Sequence, residues 1–247
     1  MKRFPTVFWF QVTRFVIVFV ERAGSTYLMT ALQSDLGIRV LTEKLGVLRS
    51  EGKGAAEQLE WARVFLSPSV LGRHYAIGFK TKLVDVLDPG AFRQLLIERQ
   101  CRVIQLNRRN TVKGAVSTLN ARRRHSLSGS WNRLVGSSSL PPFEVNLEEF
   151  DGLLREREAL DVALEEYVDT LPLPTLKLKY EDLLENQGYF VGSVMKFLGS
   201  SAEPRCGATL KNTGDDLRRA ILNFDELRSR YAGTKYESMF DEVLVPA

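Results

Sequence analysis

The sequence predicts an α/β fold, with a central, mostly parallel sheet flanked by helices in one domain, and three observations lead there. Short apolar runs rich in β-branched residues alternate with segments of helical periodicity along most of the chain. The first run passes through a glycine and small hydroxyl residues directly into a helix former. No internal repeat or low-complexity tract interrupts the series.

In order, residues 15–20 read as a buried strand, and Tyr27-Leu28-Met29-Thr30-Ala31-Leu32 as the helix after it. A second strand is expected at 38–41, followed by a polar helical stretch reaching 61–65 and a loop at Ser67-Pro68-Ser69. The next strand, 75–79, ends on Lys80-Thr81-Lys82. Asp88-Pro89-Gly90 is a turn, 92–97 a helix, 102–106 a strand, and a helix runs from Thr111 to about Arg122. Residues 122–146, with three arginines, serines, glycines and Pro141-Pro142, read as a long loop, either a lid or binding segment or a simply flexible stretch. Leu153, Leu160, Leu164, Tyr167, Val168 and Leu171 share one helical face, which is core packing. A strand at 176–180 and a helix at 187–198 complete the series.

Composition narrows the class without naming it. At 247 residues, with 44% hydrophobic and 26% charged residues, the chain can bury a full core and is neither disordered nor a membrane bundle. Arg14 interrupts the apolar N-terminal stretch, so no run approaches the ~18–20 residues of a spanning helix. The +4 charge favours anionic ligands but is too small to imply nucleic acid. Cys101 and Cys206 lie far apart without CxxC spacing, which argues against a zinc site and for a reducing, cytoplasmic compartment.

The chemistry begins at Arg22-Ala23-Gly24-Ser25-Thr26-Tyr27. A glycine and hydroxyl residues between a buried strand and a helix start make an anion site, although the same residues also describe a simply capped helix. The segment lacks the lysine of an ATP-binding loop and the pattern GxGxxG. Further on, Asn107-Arg108-Arg109-Asn110 closes a strand, and Ser117 lies about two turns into the next helix, where guanidinium and hydroxyl can grip a second phosphate.

The series strand, R-x-G-S-T, helix, then K-T-x-L at a strand end, then R-N-x₆-S, resembles the sulfotransferase family that uses 3′-phosphoadenosine 5′-phosphosulfate (PAPS). Tyr180-Glu181-Asp182-Leu183-Leu184 and Lys211-Asn212-Thr213-Gly214 resemble two later stretches of that family. The resemblance implies a P-loop-like nucleotide-binding architecture, with Arg22, Ala23, Gly24, Ser25, Thr26 and Tyr27 holding the 5′-phosphosulfate. It gives Arg109 and Ser117 the 3′-phosphate, Lys211 and Thr213 a closing loop, and the reaction no metal.

For catalysis the resemblance points to Arg22 and Lys80 as cations near the bridging oxygen. Cytosolic members carry a histidine base where this chain has Lys82. Glu43, just past the second strand, stands where carbohydrate-type members carry a catalytic glutamate, which makes it the favoured base and carbohydrate the expected acceptor. Lys82 either serves as the base itself, which requires burial or neighbouring positive charge to lower its pKa strongly, or contacts sulfate or acceptor as a cation. His74 reads as structural and His125 as a residue of the basic loop; Arg122, Arg123 and Arg124 are a solvated run or the receiver of an acidic acceptor. Two other readings stay open: a P-loop nucleotide or small-molecule kinase, which shares the opening β-loop-α unit, and a noncatalytic nucleotide- or nucleic-acid-binding module, in which the arginine cluster meets phosphates.

Overall fold

The computed structural model describes residues 12–67, 73–134 and 136–244, so the apolar N-terminal stretch before residue 12 and Pro68-Ser69 of the expected loop lie outside the described residues. The chain runs β1 (Thr13–Phe19), α1 (Ser25–Leu32), β2 (Ile38–Leu41), α2 (Lys44–Ser50), α3 (Ala55–Phe65) and β3 (Ala76–Lys82). It continues through α4 (Pro89–Glu98), β4 (Arg102–Asn107), α5 (Thr111–Ser128), β5 (Arg133–Leu134), α6 (Leu147–Asp169) and β6 (Thr175–Lys179). The last elements are α7 (Tyr180–Glu185), α8 (Gln187–Leu198), β7 (Thr209–Leu210), α9 (Phe224–Arg230) and α10 (Glu237–Asp241).

Five strands form one parallel sheet in the order β2-β3-β1-β4-β6. β1 takes the centre because both its faces are apolar. Phe15, Ile17 and Phe19 pack with residues of α1 and α8, and Val16, Val18 and Val20 with residues of α3, α4 and α6. Burying each such side chain stabilises the fold by about 1.5–3 kcal/mol, so a charge at any of these positions would not be tolerated. From β1 the chain builds to one side through β2 and β3 and then crosses to β4, and ligands bind at the carboxyl ends beside such a switch point. A third core cluster joins α5 and α6 to the C-terminal helices through Phe150, Phe224 and Phe240.

The structure corrects several boundaries. The helix expected to end near Arg122 runs to Ser128, because no breaker occurs before Gly129, which turns left-handed at φ 69°. Residues 122–128, read as loop, are therefore helical, and His125 lies in the last turn of α5. The helical stretch after β2 is two helices separated around Gly52, and β3 extends through Lys82. Tyr180 opens α7 instead of closing β6. The two-stranded β5-β7 ribbon is too short to leave a periodic signal in sequence.

Candidate active site

The loop between β1 and α1 is held open by backbone geometry. Arg22 has φ 63° and Gly24 φ 81°, and a Cβ on Gly24 would sit 3.0 Å from the Tyr180 ring, so glycine is required twice over. No side chain caps α1, which leaves its positive end for an anion. The strand exit is braced from α6, where buried Arg157 donates to the Glu21 carbonyl at 2.8 Å.

On one side of this loop lies a cavity of about 480 Å³, within the range of small-molecule sites. Gly24, Ser25, Thr26 and Tyr27 line it, and Arg22, Arg108, Lys113 and Ser117 face them. Lys211 and Thr213 close it from the C-terminal loop, where Asn120 of α5 donates to Thr213 Oγ1 at 3.0 Å and to the Asn212 carbonyl at 2.8 Å. Arg22 Nε donates to Ser117 Oγ at 3.1 Å, which joins the two anion segments expected from sequence.

Charge in this cavity is strongly positive. Arg108 is 8% exposed, its guanidinium 4.5 Å from the Tyr180 ring centre, and its Nε has no hydrogen-bond partner among the described residues. Burial, with Arg108 alongside, pulls the Arg22 guanidinium below its usual range. Burial likewise lowers Lys211, although Asp215 accepts its hydrogen bond at 2.9 Å and opposes the shift. Lys113, also buried, approaches Asp215 at 3.2 Å. Crowded, partly unsatisfied cations of this kind favour a multiply charged anion.

Arg109 is not brought to this cavity. Its side chain is 57% exposed and pairs with Glu242 at 3.5 Å, because Glu181 accepts from the Arg109 and Asn110 backbone N–H groups and fixes the turn with Arg108 inward. Ala23 is fully buried in the core and does not line the cavity.

A second cleft, of about 570 Å³, opens on the other side of the same loop. Arg22, Ser25, Thr26 and Asn132 line both spaces. Here Lys80 is 2% exposed, with its Nζ 2.9 Å from Glu43 Oε1, 2.9 Å from Thr26 Oγ1 and 3.4 Å from Ser25 Oγ. The Phe19 ring centre lies 5.2 Å from the same nitrogen. Burial lowers the Lys80 pKa while Glu43 works against that shift; a buried ammonium costs several kcal/mol unless paired in this way. Glu43 precedes α2 and its side chain is 32% exposed on the cleft side. Lys82 also lines the cleft but turns to Asp85 at 3.4 Å. Among the described residues no group of His, Cys, Asp and Glu could hold a metal ion, and no helix is long and apolar enough to cross a membrane.

The structure superposes over 93% of its length on the sulfotransferase of Alicyclobacillus acidocaldarius, covering 96% of that chain with a TM-score of 0.52 and 14% identity. The fold is that of a sulfotransferase. In sequence, 156 residues are 28% identical to Nodulation protein H of Rhizobium tropici, a match spanning 62% of this chain and 60% of that protein's length. No protein-family model matches the chain. In this sulfotransferase fold the anion loop, Lys80 and Glu43 sit together at the carboxyl ends of β1, β3 and β2.

Sequence reasoning did not find Arg108 and Lys113 as cavity residues, nor Asn120, Trp131 and Asn132. The doubled arginine after β4 was the available signal for the first. Asn120 and Asn132 gave none, because their partners lie far along the chain.

Proposed function

We propose that this chain is a sulfotransferase that moves the sulfuryl group of PAPS to a hydroxyl acceptor, with a carbohydrate as the acceptor class. The observation that carries the reading is the meeting of two cavities at one anion loop, the first lined by cations and the second by a buried lysine paired with a carboxylate. Group transfer requires this arrangement: a donor on one side, an acceptor in line on the other, and fixed charge between them.

The buried Arg108 guanidinium, whose Nε has no hydrogen-bond partner among the described residues, and the 480 Å³ volume suit a nucleotide bearing two phosphate-like ends. Arg108 and Ser117 would hold its 3′-phosphate, Lys211 and Thr213 would cover it, and Arg22, Ser25 and Thr26 would hold the 5′ end. When bound, PAPS supplies the transferable sulfuryl group and a good leaving phosphate. Lys80 and Arg22 place positive charge where that leaving oxygen develops negative charge. Glu43 takes the acceptor hydroxyl proton, its Oε1 lying 2.9 Å from Lys80 Nζ beside the anion loop. Lys82, 3.4 Å from Asp85 and lining the same cleft, meets the acceptor. Carbohydrate is favoured because the base position follows the glutamate pattern and no histidine stands at residue 82.

Incubation with radiolabelled PAPS and a panel of sugars, phenols, sterols and tyrosyl peptides tests this directly. Label transfer to sugars is the expected result; transfer to none, with no binding of 3′,5′-adenosine bisphosphate, would overturn the assignment.

A further inference from the structure

Trp131 stands in the second cleft and is half exposed, at 50%. One face of its indole is covered by the His125 imidazole, with centroids 4.2 Å apart and planes 19° from parallel. The main chain at this point is tightly held. Arg22 Nη1 reaches the Trp131 carbonyl and Asn132 Oδ1, each at 3.4 Å, and Asn212 Nδ2 donates to the same carbonyl at 2.9 Å. The Arg133 N–H donates to Asn212 Oδ1 at 2.8 Å. Both Arg22 and Asn212 also line the first cavity.

Trp131 differs from the other exposed hydrophobic side chains in that it lines a cleft, is fixed by its backbone and is stacked on one face, so its free face is an apolar plate open to a ligand. The rest of the cleft provides carboxylate, hydroxyl, amide and guanidinium groups from Glu21, Thr42, Asn132 and Arg122. An apolar plate bordered by hydrogen-bonding groups matches a pyranose, whose C–H face packs on the ring while its hydroxyls bond at the edge. Planar aromatic acceptors would gain from the plate but would leave those polar groups unmatched.

We propose that Trp131 is the platform on which a pyranose ring of the acceptor stacks, positioned by the donor-side residues Arg22 and Asn212. The inference rests on the sulfotransferase reading and names the ring that reads its acceptor. Because the same two residues line the donor cavity, a nucleotide bound there fixes the plate, and the acceptor binds more tightly to the nucleotide-bound protein.

Trp131→Ala and Trp131→Phe keep the carbonyl that Arg22 and Asn212 hold, so they separate the ring from the backbone. Two measurements are needed: KM and kcat for methyl pyranosides, β-linked disaccharides and p-nitrophenol, and tryptophan-emission titrations with pyranosides at saturating 3′,5′-adenosine bisphosphate. For Trp131→Ala the expected result is a rise of about tenfold in pyranoside KM with kcat within about twofold, and for Trp131→Phe a rise of about threefold or less. Pyranosides should quench wild-type emission but not that of Trp131→Ala, and nucleotide should raise the melting temperature equally in all three. An unchanged pyranoside KM in Trp131→Ala, a loss confined to p-nitrophenol, or nucleotide binding without any pyranoside quench in the wild type would overturn the proposal. Absence of nucleotide binding would instead count against the sulfotransferase reading beneath it.

Discussion

Replacing Lys80 with methionine separates chemistry from packing. The ammonium is 2% exposed and its principal partner, Glu43, is 32% exposed, so methionine fills the buried volume while the carboxylate can turn to water. Removing one partner of a fully buried pair costs about 3–5 kcal/mol because the other charge is stranded, but the 32%-exposed Glu43 carboxylate can rehydrate, so a change within about 2 kcal/mol is expected. For a protein of this size that shifts the melting temperature by no more than roughly 4–8 °C. Turnover should respond differently, since removing one positive group aimed at developing charge costs about 10²–10³ in kcat. The assay is steady-state sulfuryl transfer at saturating PAPS, beside thermal melts with and without 3′,5′-adenosine bisphosphate. Turnover within fivefold of wild type would refute the assigned role. So would a collapse of the melting temperature in parallel with activity, which would make Lys80 a structural residue.

Four further outcomes are expected. Glu43→Gln should leave the nucleotide-induced rise in melting temperature intact and lower kcat by about two to four orders of magnitude in the same transfer assay. Arg108→Ala should raise the KM for PAPS at least tenfold, whereas Arg109→Ala should change it less than threefold, as their opposite orientations require. Cys206, exposed at the first cavity, should be alkylated readily and protected by 3′,5′-adenosine bisphosphate, while Cys101, whose thiol burial pushes up to about 12, should stay unmodified at pH 8 in mass spectra. Hydrogen bonds from Arg230 and then Tyr231 hold the Asp151 carboxylate below its usual range. That contribution is complete above the unfolded value of about 3.9 and is lost as pH falls through the lower folded value, so melts of Asp151→Asn should show a weaker acid-side decline than wild type.

The centre of the parallel sheet was legible because β1 is buried on both faces and therefore spells a continuous apolar run, residues 15–20. The anion loop was legible because strand exit, glycine, hydroxyls and helix start are local in sequence. The choice between Arg108 and Arg109 was not, since it depends on which backbone N–H groups Glu181 accepts from, about seventy residues later. The extent of α5 was hidden by its composition: three arginines and a histidine look solvated, yet Arg124 is buried and donates to the Ser138 carbonyl at 2.9 Å. Trp131 and the asparagines around it escaped notice because the second cleft is assembled from segments that meet only in the fold.

The central claim is that the 480 Å³ cavity holds a 3′-phosphorylated nucleotide, and comparative thermal stabilisation tests it most directly. At a hundred times its Kd, 3′,5′-adenosine bisphosphate should add about 2.7 kcal/mol, a rise of roughly 5–11 °C, and ATP or ADP at the same concentration much less. Stabilisation by ATP with none by the bisphosphate would contradict the account.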